Sequence, residues 1–198
     1  MALKKRDEEE LMLNDAFLNL SKVYSNIYDI ILNMNYKELP NVIDNISIIR
    51  ERVYSNIVSL KIRGRGSSNL IKHIIIYNEI LNIIDMIYFL GIDIIKRPIP
   101  FRISNIFKDD AFKMFFNGIE DLISSIQYIF QEIEDEKMAS ILKNSAELHK
   151  INRNILIEIY KNEKDLDPAT LEQLSYFFIT SGNIISSIER IFVVLSKS

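Results

Sequence analysis

Cysteine is absent from this chain of 198 residues. Its absence excludes disulfides, zinc–thiolate sites and a cysteine nucleophile, and it fits a reducing compartment. Glycine (5) and proline (4) are scarce. An all-β fold needs frequent turns and more of both residues, so a few long helices with few breaks are expected. The chain has two histidines, His73 and His149. Neither has a second histidine or an acid at a ligand spacing along the sequence, and both read as ordinary, partly exposed side chains. A surplus of positive charge is also lacking. Lysine and arginine number 24 against 27 acids, for a net charge of -3 and a pI of about 5.5. A nucleic-acid binder carries a basic excess, so nucleic acid is not an expected partner.

Long uninterrupted apolar runs are missing too. The most apolar stretch, 70–95, is broken by Lys72, His73, Glu79, Asp85 and Asp93. No transmembrane segment is therefore expected. The opening "MALKKRDEEE" has charge but no apolar h-region and does not read as a signal peptide. The expectation is a cytoplasmic protein. A hydrophobic content of 48% rules out a disordered chain, and the length suffices for one core or for two halves sharing one.

What is present is helical periodicity. Leu13, Phe17, Leu20, Tyr24, Ile27, Ile31 and Met34 step alternately by four and three, a heptad seam that predicts a first helix over about 8–35. After "NYKELPN", a second helix is predicted from Pro40 to Arg63, with Ile43, Ile46, Ile49, Val53, Ile57 and Leu60 on one face. "GRGSSN" at 64–69 stops it, and a third helix follows over 68–96, apolar nearly all round as if covered on several sides. The two prolines of "KRPIPFR" at 96–102 exclude helix and predict an extended linker. A fourth helix is predicted over 109–134 and a fifth over 136–163. A sixth runs from Pro168 to about Leu195, with Asp167 as its N-cap.

The second half repeats the plan of the first. "NDAF" at 14–17 returns as "DDAF" at 109–112, "SNI" at 55–57 as "RNI" at 153–155, and "NII" at 82–84 as "NII" at 183–185. Each match falls on the corresponding helix, and the offset drifts only across the loops. The reading is an all-α fold: six long helices in two tandem three-helix repeats, 1–98 and 99–198, forming one antiparallel bundle with the third and sixth helices most buried.

This helix order, length and loop placement resembles the PhoU family, regulators and accessory proteins of phosphate permeases. Those proteins consist of two three-helix repeats packed as long bundles. Their most specific motif is a Glu-x-x-x-Asp pair on the third helix of each repeat, which holds metal ions. The corresponding stretches here are "EILNIIDMIYF" (79–89) and "GNIISSIERIF" (182–192). With Asp85 in the motif's Asp position, Leu81 stands in its Glu position. In the second repeat the equivalents are Ile or Ser, and Glu189 stands alone. The resemblance implies a protein partner such as a phosphate transporter component. It does not carry the metal cluster over: Asp85 and Glu189 are the remaining metal candidates, and no cofactor is expected.

Other candidates come from the residues themselves. Arg63, Arg65, Ser67 and Ser68 in "RGRGSSNL" combine charge, backbone freedom and a helix start, a set able to hold an anion; the alternative is an interhelix turn whose arginines meet the preceding helix's C-terminus. The glycine spacing is not that of a P-loop. Asp85 and Asp93 share a helix face, and the alternative to a metal site is pairing with Lys or Arg. Asn56, Asn82, Ser145, Asn152 and Asn183 fall on or near apolar seams and read as register-fixing polar groups. "KRPIPFR" places three basic residues around Phe101, either a contact for a partner or acidic lipid or a plain linker. No nucleophile–base pair or dinucleotide fingerprint is found. The function expected is therefore binding rather than catalysis: a PhoU-like accessory of phosphate transport, or a helical scaffold that homodimerises through an apolar face. A metal-binding bundle is the third alternative.

Overall fold

In the computed structural model, the described residues are 2–63, 68–100, 109–127, 134–161 and 163–196, with side chains described from residue 18 onward except 56–57, 59–71 and 73. Among them there are six α-helices and no strand: α1 Ala2–Asn33, α2 Leu39–Arg63, α3 Ser68–Lys96, α4 Asp110–Ser125, α5 Asp135–Lys161 and α6 Pro168–Ser196. Short 3-10 turns at Tyr36–Glu38 and Glu163–Asp165 lead into α2 and α6. The all-α expectation and the order of the six elements hold. Ile129, Phe130 and Ile133, expected on the fourth helix, lie outside the described residues, as does Phe101 of the linker.

The helix ends follow local chemistry. Asp167 caps α6 as its sequence position implies: the Thr170 N–H donates to Oδ1 at 3.0 Å and the Thr170 hydroxyl to Oδ2 at 2.6 Å, ahead of Pro168 at the first helical position. These bonds favour the ionised form and hold the Asp167 carboxyl below its ordinary range. Asp109 caps α4 by accepting from the Ala111 N–H at 2.9 Å. At the end of α1 the chain departs from expectation. The helix closes at Asn33, and Met34, expected to continue the seam, is 40% exposed with φ of 54°. The Asn35 N–H donates to the Ile30 carbonyl at 3.1 Å and the Met34 N–H to the Ile31 carbonyl at 3.3 Å. This is the Schellman closure, with a methionine where glycine is usually found.

Packing links the helices in a ring. α2 lies between α1 and α3, α5 lies between α4 and α6, and the halves join through α1 on α4 and α3 on α6. The scheme is unchanged when the first three helices are exchanged for the last three. α3 and α6 run antiparallel, since Glu79 meets Arg190 at one end while Arg97 meets Glu172 at the other. The heptad seam of α1 is buried at Leu20, Tyr24, Ile27 and Ile31, each at 1% exposure or less. The linker is anchored where it leaves α3: Ile99 is buried, and its carbonyl accepts from the Tyr36 hydroxyl at 2.9 Å.

An aromatic cluster joins the halves. Phe116 of α4 stacks on Tyr28 of α1 with ring centroids 4.0 Å apart and an interplanar angle of 13°. It also lies 6.0 Å from Tyr24, 5.8 Å from Phe115 and 5.5 Å from Phe177 of α6. Such contacts add to the area effect of burial. Burial pushes the Tyr24 phenol well above its ordinary range, against a weaker opposing effect of the Ser181 hydroxyl 3.5 Å away.

α3 and α6 are not covered on all sides. Residues 74–96 and 168–196 are long and apolar enough to cross a membrane by length and composition, yet 44% and 50% of their most apolar windows are buried inside the bundle. The remainder forms an outer face where Ile75 and Phe89 of α3 and Tyr176, Ile179 and Val193 of α6 are exposed. The near-continuous apolar character of the third helix thus reflects one packed face and one open face, not cover all round.

Two stability outcomes follow. Phe116→Ala removes the cluster's shared ring and should cost about 3–5 kcal/mol in denaturant titration, whereas Phe89→Ala, on the open face, should change stability by less than about 0.5 kcal/mol. Met34→Gly relieves the left-handed backbone and should stabilise by up to about 1 kcal/mol, because the cost for a side chain there exceeds glycine's added unfolded-state entropy.

Candidate functional site

The α3–α6 seam carries polar groups at both ends of an apolar middle. Glu79 of α3 and Arg190 of α6 form a fork-to-fork pair, Nε to Oε1 at 2.9 Å and Nη2 to Oε2 at 2.8 Å, and Nη2 also donates to Ser187 Oγ at 2.8 Å. The hydrogen bonds from Arg190 hold the Glu79 carboxyl below its ordinary range despite partial desolvation. At the other end Arg97 donates from Nη2 to Asp93 Oδ1 at 2.6 Å and from Nη1 to Glu172 at 3.4 Å, while its own carbonyl accepts from the Gln173 amide. Beside the Glu79–Arg190 pair a groove of about 350 Å3 opens outward, lined by Asn82, Asp85, Met86 and Phe89 of α3 and by Asn183, Ser187 and Arg190 of α6.

The two metal candidates turn to different neighbours. Asp85 accepts from Arg50 Nε of α2 at 2.6 Å, an ion pair with side chains 36% and 55% exposed. Glu189 turns to α5, where it accepts from Ser145 Oγ at 2.7 Å and lies 3.3 Å from His149 Nε2. The joint site that the sequence offered for Asp85 and Glu189 is therefore not assembled by their contacts. Among the described residues no three of His, Asp and Glu converge to hold a metal ion. The pairing of Asp85 and Asp93 with arginines is the alternative the sequence allowed.

Ser186, His149 and Glu189 have the composition of a catalytic triad but not its geometry. Ser186 Oγ lies 3.4 Å from His149 Nε2, the same nitrogen that faces Glu189. A relay needs the acid on one ring nitrogen and the hydroxyl on the other, so that the base can take the serine proton. Here one nitrogen serves both, and Ser186 donates to the Gly182 carbonyl at 3.1 Å. The cluster is a polar clasp between α5 and α6.

Polar residues on the seams divide by position. Ser145 and Asn152 are buried, as a register-fixing role requires, whereas Asn82 and Asn183 are exposed on the outer groove. Asn152 Nδ2 donates to the Phe178 carbonyl at 3.0 Å, and its Oδ1 has no partner among the described residues. Gly182 makes room for that amide: a Cβ there would sit 2.6 Å from Asn152 Nδ2. Of the anion candidates, Arg65 and Ser67 lie outside the described residues. Arg63 ends α2 and Ser68 opens α3, with their side chains outside the description. The side chains of His73 and Asn56 are likewise outside it.

Sequence reasoning missed Glu79, Arg190 and Arg50. Glu79 stands two residues before the position where the family motif would hold its acid, and its partner is 111 residues away. Helical spacing within one element gives no signal for such a pair.

Glu79→Gln should lower stability by about 1 kcal/mol at neutral pH, the modest size reflecting a guanidinium that is 55% exposed. A carboxyl held low in the folded state contributes stability above its unfolded value and loses it as pH falls through the folded one. The gap between wild type and variant should therefore close below the ordinary glutamate range, as read by urea titration across pH.

No family model matches this sequence, and neither characterised proteins nor solved structures give a significant match.

Proposed function

We propose that this chain is a PhoU-like accessory or regulatory protein of phosphate transport, acting in the cytoplasm by protein contact rather than by catalysis. The observation that carries the reading is the open face of α3 and α6. Phe89 is 54% and Ile179 49% exposed, and Tyr176, Ile179, Asn183, Arg190 and Val193 follow one another at helical spacing along one stripe of α6. Large apolar side chains left exposed on either side of a polar groove are the kind of surface that partners cover. The exchangeable packing of the two halves supports the duplicated plan on which the resemblance rests.

A second reading is a scaffold that homodimerises through the same face, and it is favoured by the exposed apolar side chains there, Phe89, Tyr176 and Ile179. Both readings place the function on α3 and α6, and the partner differs.

Deletion of the encoding sequence should alter phosphate uptake. A Phe89→Asp, Ile179→Asp double variant with wild-type circular dichroism should fail to restore it. Unchanged uptake on deletion removes the phosphate role. A light-scattering mass of two chains that falls to one in the double variant, with uptake unaffected, establishes the scaffold instead.

A further inference from the structure

Lys22 and Arg52 line one groove on the outer side of α1 and α2, and neither forms an ion pair with an acid among the described residues. The groove measures about 360 Å3, and its polar lining is Asn19, Lys22 and Asn26 of α1 with Asn45 and Arg52 of α2. Val23 and Ile49 form its buried floor. On each helix the other lining positions lie three, four and seven residues after the first, Asn19 or Asn45, and so share a stripe. None of the five polar side chains has a hydrogen-bond or ion-pair partner among the described residues. Nearer the α1–α2 turn Asn26 also borders a second groove with Asp29, where Asn33 donates to the Asp29 carbonyl at 2.9 Å and Asn35 donates to Glu38.

The second half supplies an internal comparison. Its groove between α4 and α5 holds Met114, Gly118 and Asp121, each 95 residues after Asn19, Val23 and Asn26. It also holds Asn144, Glu147 and Ile151, each 99 residues after Asn45, Ile48 and Arg52. That groove is smaller, about 190 Å3, and its charged members are the acids Asp121 and Glu147. The basic, amide-rich lining of the first groove is therefore not a by-product of the shared architecture. In a chain with more acids than bases, two cations line one groove without an ion pair to any carboxylate the structure describes.

We propose that the α1–α2 groove binds an oxyanion. Lys22 and Arg52 supply charge-assisted donors, the guanidinium offering two parallel N–H groups to a phosphate or carboxylate edge. Asn19, Asn26 and Asn45 line the same groove and can offer amide N–H groups to the remaining oxygens, and Val23 and Ile49 form an apolar floor beneath the anion. The site lies on different helices from the α3–α6 face and stands or falls separately from the docking role.

The test uses the 15N-labelled full chain at constant ionic strength. The side-chain amide signals of Asn19, Asn26 and Asn45 are followed while inorganic phosphate or, separately, a pentaglutamate peptide is added. Saturable shifts with phosphate support the site and identify a free anion as its source. Saturable shifts with the peptide alone support it and identify acidic side chains of a partner. A folded Lys22→Gln, Arg52→Gln variant should weaken binding roughly tenfold or more. Asp121→Asn with Glu147→Gln should leave binding unchanged. Shifts that never saturate, that sodium chloride reproduces, or that persist in the Lys22/Arg52 variant overturn the proposal.

Discussion

The contact on which the bundle depends is the stacking of Phe116 on Tyr28. α1 and α4 begin their respective halves, and nothing in the backbone connectivity brings them together. The ring of Phe116 does so, and its further contact with Phe177 brings α6 into the same cluster. With α1 and α4 side by side, α2 and α5 flank them, and α3 and α6 meet across the ring. The antiparallel α3–α6 seam, its terminal ion pairs and its open face are geometric consequences of that arrangement.

Several polar contacts in this molecule join one helix to another. Glu79 with Arg190 and Arg97 with Glu172 tie α3 to α6. Ser145 and His149 tie α5 to Glu189, and Asn152 reaches a carbonyl of α6. These bonds are individually modest because most of the groups are partly exposed. Their joint effect is on register: a helix sliding by one turn would break every one of them while leaving much of the apolar contact intact. The buried Asn152 is the costliest to misplace, since its amide has a partner in only one alignment.

Much of the fold was legible in the residues. The alternation of four- and three-residue steps from Leu13 to Ile31 fixes α1 as a helix and its inner face. Asp167 before Pro168 marks the start of α6, and Pro98 and Pro100 mark the break after α3. These are local signals, generated by groups a few residues apart. Met34 misled because it continues the heptad count, while the helix end is decided by backbone closure at Ile30 and Ile31. The site was less legible. Apolar periodicity reports how much of α3 is hydrophobic but not whether a neighbour covers it, so the helix read as covered on several sides while Phe89 is open. Asp85 and Glu189 invited pairing with each other. Their partners, Arg50 and His149, are chosen by the helix on either side, which sequence spacing does not encode. The unpartnered set at Lys22 and Arg52 becomes visible only when α1 and α2 are placed together.

The division of the aromatic cluster between the two halves has a consequence for biosynthesis. Tyr24 and Tyr28 emerge from the ribosome nearly ninety residues before Phe116, the ring that covers them. At about 5–20 residues per second, the nascent first half carries an uncovered aromatic stripe for roughly 5–20 s. Throughout that interval it presents a sticky surface to every chaperone and every neighbouring nascent chain, and only the arrival of the fourth helix withdraws it.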